Sequence, residues 1–370
     1  MRRQSNELWI VSRVFPPDEG GVQTYALSIA RAYTTLGWRV RVFTKSSAGP
    51  RRLRTDGFEV LDVGGGAKLW VYIKLAVTLS REAIVAALGD GLPAAVHATT
   101  WRSAIIPAVL GIAPLIITVH GREIGRPRGI VGAWMHRTLN RATRIVAVSD
   151  WTRNILIKRL PAISKRCVVA WNGTSDFPAP ATVPATPPES LPLVLTACRL
   201  VPRKNLALAI TAAGRCLATG RPLQYLIAGR GPDRAALQAT IKAQGLDAHV
   251  CLLGYVSDAE LAALYARCTV FLHPQIELED GAEVEGFGIA VADAMASGKP
   301  CIVGSAGGPA ELIEDGLSGR IVDGRDIEMI ALALASLLDD PTAAVEMGEA
   351  ARYQARQFSW QQHCVKALGA

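Results

Sequence analysis

The sequence has no Cys-x-x-Cys pair. Its seven cysteines (Cys167, Cys198, Cys216, Cys251, Cys268, Cys301 and Cys364) stand singly and are odd in number. That argues against a disulfide framework and against structural zinc, and predicts free buried thiols in a reducing cytoplasm. An apolar run long enough to cross a bilayer is also missing. The longest uncharged stretch, residues 103–119, contains Pro107, Gly111 and Pro114 and falls short of the ~20 residues a spanning helix needs. The first ten residues, MRRQSNELWI, hold no long apolar core or small-residue cleavage site, so a signal peptide is not expected. No internal repeat and no Asp-x-Asp metal site is evident.

What is present is a globular composition, half apolar and 19% charged, over 370 residues. That length exceeds one ordinary core and suggests two domains. The net charge of +8 conceals a split, because the first 175 residues hold 25 Lys+Arg against 10 Asp+Glu and the remainder is acidic. A basic half joined to an acidic half argues against a nucleic-acid coat. It suggests that the first domain meets something anionic, a membrane surface or a charged acceptor.

Along the chain, short apolar runs without strict alternation are separated by helical patterns, which implies parallel sheets covered on both faces. ELWIVSRV (7–14) reads as a first strand; FPPDEGG then leads through Gly20 and Gly21 into a helix with apolar positions Val22, Ala26, Ile29 and Ala30. Strands at 38–44, 58–63, 94–98 and 114–120 alternate with helices, including one over 68–88. His120 falls at a strand's carboxyl end, where open α/β sheets place ligands. Residues 125–144 gather Arg126, Arg128, Arg137, Arg141 and Arg144 around Trp134 and Met135, a mixture suited to anionic lipid or to a solvated helix face. Six prolines between Pro178 and Pro192 then make a stiff segment, read as the linker 177–192 between domains at 1–176 and 193–355.

The second domain restarts with a strand ending at Arg199, followed by Lys204 in a turn. Both can reach one diphosphate, Arg as a fork and Lys as a point charge, and Arg203 could stand in for Lys204. LQYLIAGRGPDRAAL (223–237) invites a dinucleotide reading, but the sixth position is Arg234 and no acidic residue follows at a second strand end, which disfavours it. In EGFGIAVADAMASGKP (285–300), Glu285 lies in a glycine turn with Gly286 and Gly288. A helix then runs to Gly298, so its N-terminus forms a site for phosphate or sugar hydroxyls. Asp293 lies about two turns along and can face the same ligand.

This last stretch resembles the Glu, seven residues, Glu signature of the retaining glycosyltransferases of family 4, with Asp293 in place of the second Glu. The resemblance runs from Gly20 to Trp360 in the family's order. It implies a GT-B fold, two Rossmann-like doubly wound domains facing a cleft, with residues 356–370 returning to the first domain. It also implies a retaining transferase that moves a sugar from a nucleotide-diphosphate donor to a glycan or lipid-linked acceptor, with no cofactor and no metal. By the same resemblance His120, Arg199, Lys204 and Glu285 are catalytic. Gly20, Gly21, Gly229, Tyr255, Val256, Gly286, Phe287, Gly288, Ile289 and Asp293 line the donor. The Glu-rich approach to Glu285 is similar to that of mannosyltransferases using GDP-mannose. A cytoplasmic protein peripheral to the inner membrane face is the expectation. A nucleotide-sugar 2-epimerase-like enzyme and a non-catalytic binding protein are the alternatives.

Overall fold

The computed structural model describes residues 6–18, 20–125, 127–177, 191–279 and 283–369. Most of the proline-rich linker, Arg126 and part of the acidic loop before Glu285 therefore lie outside the described residues. The chain divides into two compact units, Met1–Gly173 with Ser359–Ala370, and Thr174–Phe358.

The first unit runs β1 (Glu7–Val11), α1 (Gly21–Thr35), β2 (Arg39–Thr44), β3 (Pro50–Thr55), β4 (Phe58–Val63), α2 (Lys68–Leu88) and β5 (Ala95–Ala98). It continues through α3 (Ile105–Leu110), β6 (Leu115–Val119), α4 (Arg122–Gly125), α5 (Gly129–Asn140), β7 (Arg144–Ala147), α6 (Asp150–Arg159) and β8 (Cys167–Val169). The sheet order is β3-β4-β2-β1-β5-β6-β7-β8. Alternate residues of β1 feed opposite faces. Trp9 and Val11 join one core with α2, α3 and α5, while Leu8 and Ile10 join another with α1.

One edge departs from the expected all-parallel sheet. Strand β3 pairs antiparallel with β4, and Asp56 and Gly57 between them both take positive φ (48° and 78°). Those angles suit a two-residue hairpin, for which Asp-Gly is a favoured sequence. Arg51, Arg52 and Arg54 on this edge guard it against further pairing.

The second unit runs β9 (Leu193–Ala197), α7 (Leu206–Ala218), β10 (Gln224–Ala228), α8 (Arg234–Ala243), β11 (Val250–Gly254) and α9 (Asp258–Arg267). It continues through β12 (Val270–His273), α10 (Ile289–Ala296), β13 (Cys301–Gly304), β14 (Gly319–Val322), α11 (Ile327–Asp339) and α12 (Pro341–Ala355). All six strands are parallel, in the order β11-β10-β9-β12-β13-β14. Helices α7, α8 and α11 bury one cluster with Val270 and Leu272, while Tyr265 of α9 packs on Phe271 at 5.6 Å. A last helix, α13 (Trp360–Leu368), packs on α1 in the first unit, with Cys364 buried in that core.

In each sheet the strand order reverses once, between β1 and β5 and between β9 and β12. Ligands of open α/β sheets bind outside the carboxyl ends of the strands at such a point. All seven cysteines are unpaired. Cys251 departs from the expectation of buried thiols because it faces solvent from the edge strand β11. Burial pushes Cys198 up to about 11 and Cys268 up to about 12, so both remain thiols at neutral pH.

Candidate functional site

In the second unit the reversal point carries a charge cluster. After β9 the chain turns through a 3-10 turn, Pro202–Lys204, and Asn205 ends it with φ of 57°. The Asn205 side chain fixes that turn by donating to the carbonyls of Pro274, at 3.0 Å, and Gly324. Lys204 Nζ then lies 2.7 Å from the Glu285 carboxylate, and Arg203 Nη1 donates to the same oxygen. Lys204 Nζ also donates to His273 Nε2 at 3.1 Å, at the end of β12. With Nε2 accepting, the neutral His273 carries its proton on Nδ1, a buried atom with no hydrogen-bond partner among the described residues.

Burial alone would raise the Glu285 carboxyl, but Lys204, Arg203 and His273 outweigh it and hold the group far below the carboxylate range. His273 is pushed well down by burial and by the Lys204 charge. The cluster is therefore a carboxylate and two cations beside a neutral imidazole.

Arg199 is not part of it. That residue is exposed and makes no ion pair among the described residues, and Arg203 takes the expected place beside Lys204. The backbone gives the reason. Cys198 and Leu200 donate their N–H groups to the Ala228 and Arg230 carbonyls, so residues 198–200 still run beside β10. Only the turn after them swings cations toward Glu285.

The Glu285 segment is held through its backbone. The Gly308 N–H donates to the Glu285 carbonyl at 2.9 Å, and the buried Gln275 amide ties down the Gly304 and Ala306 carbonyls at 2.7 and 2.8 Å. Gly286 lies against Gly308. Gly288 takes φ of 92° as the N-cap of α10, with no side chain capping the helix, and Ile289 is its first residue. Val291 and Ala292 already donate to the Gly288 carbonyl at 2.9 and 3.1 Å, so the Ile289 and Ala290 N–H groups are the ones that remain for an anion. The Phe287 side chain is buried edge-on against Phe358, ring centres 5.9 Å apart.

Asp293 is buried in α10 and turned to Ser175, accepting its N–H at 2.6 Å and its hydroxyl at 2.8 Å. Burial, opposed by those bonds and reinforced by Asp258, pushes the carboxyl up to about 7. In this structure both carboxylate oxygens are engaged by Ser175, so Asp293 is not presented jointly with Glu285. Gly229 donates its N–H to the Gly254 carbonyl at 2.6 Å, next to Tyr255 and Val256. A Cβ at Gly229 would lie 1.8 Å from the Cys198 carbonyl oxygen, and its φ is 134°. The Gly-x-Gly thus serves close packing of β10 on the 198–200 segment. Tyr255 is exposed under the Arg230 guanidinium, 5.0 Å from its ring centre.

In the first unit Gly20 caps α1 with φ of 143° and Gly21 begins that helix. His120 stands just beyond β6 and donates through Nε2 to the Thr99 carbonyl at 2.8 Å, which leaves Nδ1 as its acceptor. Its N–H is bonded to Glu123 at 2.5 Å, and its ring meets Tyr25 edge-on at 4.8 Å. Under it lies a buried net: the Tyr25 hydroxyl bonds Thr118 and His363, each at 2.7 Å, and His97 bonds Thr118 and Tyr33. Burial pushes His363 down to about 4, so the net is uncharged at neutral pH.

Sequence reasoning did not assign His273 or Ser175. His273 carried a readable signal, a histidine at a strand's carboxyl end like His120. Ser175 carried none, since its partner lies 118 residues away.

Solved structures share this architecture throughout. Sucrose-phosphate synthase from Thermosynechococcus elongatus superposes with a TM-score of 0.78 at 18% identity, covering 97% of each chain. Anabaena HepE in complex with UDP gives 0.77 at 19%, covering 98% of this chain and 99% of that one. These likenesses show the GT-B fold.

More narrowly, the chain belongs to the group 1, family 4 glycosyltransferases. The family model "Glycosyltransferase Family 4" matches residues 19–176 and "Glycosyl transferases group 1" matches 183–354. A curated relative, the GDP-mannose-dependent alpha-(1-6)-phosphatidylinositol monomannoside mannosyltransferase of Mycobacterium tuberculosis, is 29% identical, covering 95% of this chain and 94% of its own. The O-antigen chain mannosyltransferase B of Escherichia coli is 27% identical, covering 64% and 62%.

Proposed function

We propose that this transferase is a retaining, metal-independent mannosyltransferase that moves mannose from GDP-mannose to a lipid-linked acceptor. The observation that carries the reading is the Lys204–Arg203–Glu285 cluster at the reversal point of the second sheet. Two mannosyltransferases among the relatives support the sugar, and the phosphatidylinositol mannoside acceptor of one supports the lipid. The reaction breaks the bond between the sugar's anomeric carbon and the β-phosphate oxygen, and the electron pair stays on the diphosphate. The acceptor hydroxyl oxygen attacks the same face, and its proton passes to a donor phosphate oxygen.

The leaving diphosphate gathers negative charge. Lys204, Arg203 and the α10 N-terminus meet it, with Arg199 joining from the end of β9; a well-placed donor of this kind contributes several kcal/mol. Once the phosphates take the cations, Glu285 is released to hold the sugar, and His120 binds the sugar through Nδ1. Gly20, Gly21, Gly229 and the backbone at Tyr255 and Val256 approach the donor. Asp293 takes the ribose once Ser175 yields it.

No helix among the described residues is long and apolar enough to cross a membrane. The first unit exposes Trp70, Ile73 and Val77 on α2 and Ile130 and Trp134 on α5, in its basic half. This surface supports peripheral attachment to an anionic inner membrane face. The test is turnover of GDP-mannose with a phosphatidylinositol mannoside, with and without a chelator, and NMR of the product. An α-linked mannoside formed undiminished in chelator is expected; a β-linked product or chelator inhibition overturns the mechanism.

A further inference from the structure

Where the first sheet reverses, two arginines stand together, and the acid acting on Arg102 is Glu123. Arg13 follows β1 and Arg102 lies beyond β5. With Tyr72, Trp101, Ile105, Val131 and Trp134 they line an open cavity of about 300 Å³. The Arg13 guanidinium lies over the Tyr72 ring, 5.4 Å from its centre, and that of Arg102 over Trp101 at 4.5 Å. Among the described residues neither pairs with a carboxylate. Glu123, the nearby acid, is bonded to the His120 N–H. A smaller hollow shares Arg13 and Tyr72 and adds Lys45.

Burial, and then the charge of Arg13, push the Arg102 guanidinium down from its usual value, against the opposing pull of Glu123. An anion adds to that pull, and guanidinium forks match a phosphate. The rest of the lining is aromatic and aliphatic, and Val131 and Trp134 are each half exposed at its mouth. A free phosphate would leave that apolar surface wet.

We propose that this cavity holds the phosphate head of an anionic lipid acceptor, the phosphate bridging Arg13 and Arg102 and the first methylenes lying on Ile105, Val131 and Trp134. The proposal rests on the reading of a lipid-linked acceptor. It also ties the cavity to the sugar site, because Trp101 Nε1 donates to the Glu123 carbonyl at 2.9 Å while the Glu123 side chain holds His120.

Titration calorimetry of the whole chain with dihexanoyl phosphatidic acid, below its micelle concentration, tests this against octyl glucoside and glycerol 3-phosphate. The phosphatidic acid should bind at least tenfold more tightly than either. Arg13→Gln and Arg102→Gln should each weaken it at least tenfold, and Arg102→Lys should weaken it less. GDP affinity, read in the same samples, should stay unchanged, so the donor reading can fail or hold independently. Equal binding of octyl glucoside would mean an apolar patch only, and equal binding of glycerol 3-phosphate a site for free phosphate. Either result overturns the proposal, as does indifference to both glutamine substitutions. Should those variants fail to fold, the three-ligand comparison on the unsubstituted chain still decides.

Discussion

Replacing Glu285 by Gln should tighten nucleotide binding while abolishing transfer. In the free protein the Glu285 carboxylate neutralises Lys204 at 2.7 Å and Arg203 beside it, and its side chain is 17% exposed. A diphosphate must take those cations from it. A hydrogen bond between charged groups contributes about 1.5–3 kcal/mol, so removing the competitor should lower the GDP dissociation constant by about ten- to a hundredfold. The same change leaves two buried cations unpaired in the free protein, which should lose about 3–5 kcal/mol of stability and regain part of it with GDP. Calorimetry with GDP and urea melts with and without it read both quantities, and kcat reads the loss of the sugar contact. Unchanged or weaker GDP binding in Glu285→Gln would refute the competition.

Asp293 gives a pH dependence of definite sign. Its carboxyl is raised in the folded state from an ordinary value of ~3.9 to about 7, so the stability it contributes is full below pH 4 and lost as pH rises through 7. Between pH 5 and 8 the loss amounts to about 2.5 kcal/mol. The difference in urea stability between the natural chain and Asp293→Asn should show it, since the buried histidines titrate alike in both; a flat difference would contradict the burial account. Gly229→Ala should cost about 2–4 kcal/mol, because its Cβ would meet the Cys198 carbonyl oxygen at 1.8 Å. A thermal melt within a degree of the natural chain would refute that close approach.

The alternation of apolar runs and helices made two parallel α/β sheets legible, because a strand buried on both faces has to read as a short continuous apolar run. The glycine turn before α10 and the strand-end place of His120 were legible because turns and strand ends follow from the same alternation. The β3–β4 hairpin was written in the Asp56-Gly57 pair but lay hidden between charged residues. That Arg203, which the sequence offered only in place of Lys204, pairs with Glu285 alongside Lys204 while Arg199 stands apart was not legible. It depends on how far the 198–200 segment continues beside β10 before it turns, a matter of backbone hydrogen bonds and not of residue type. The Ser175 contact of Asp293 was likewise beyond reach, since it joins residues distant in the chain.

The most direct measurement is the release of GDP from GDP-mannose, together with the appearance of mannose in a lipid extract, as phosphatidylinositol mannoside is added. The account predicts that both rise with acceptor in equal amounts and that Lys204→Ala abolishes both. Altered sugar without acceptor, or GDP bound with no turnover under any acceptor, would contradict it.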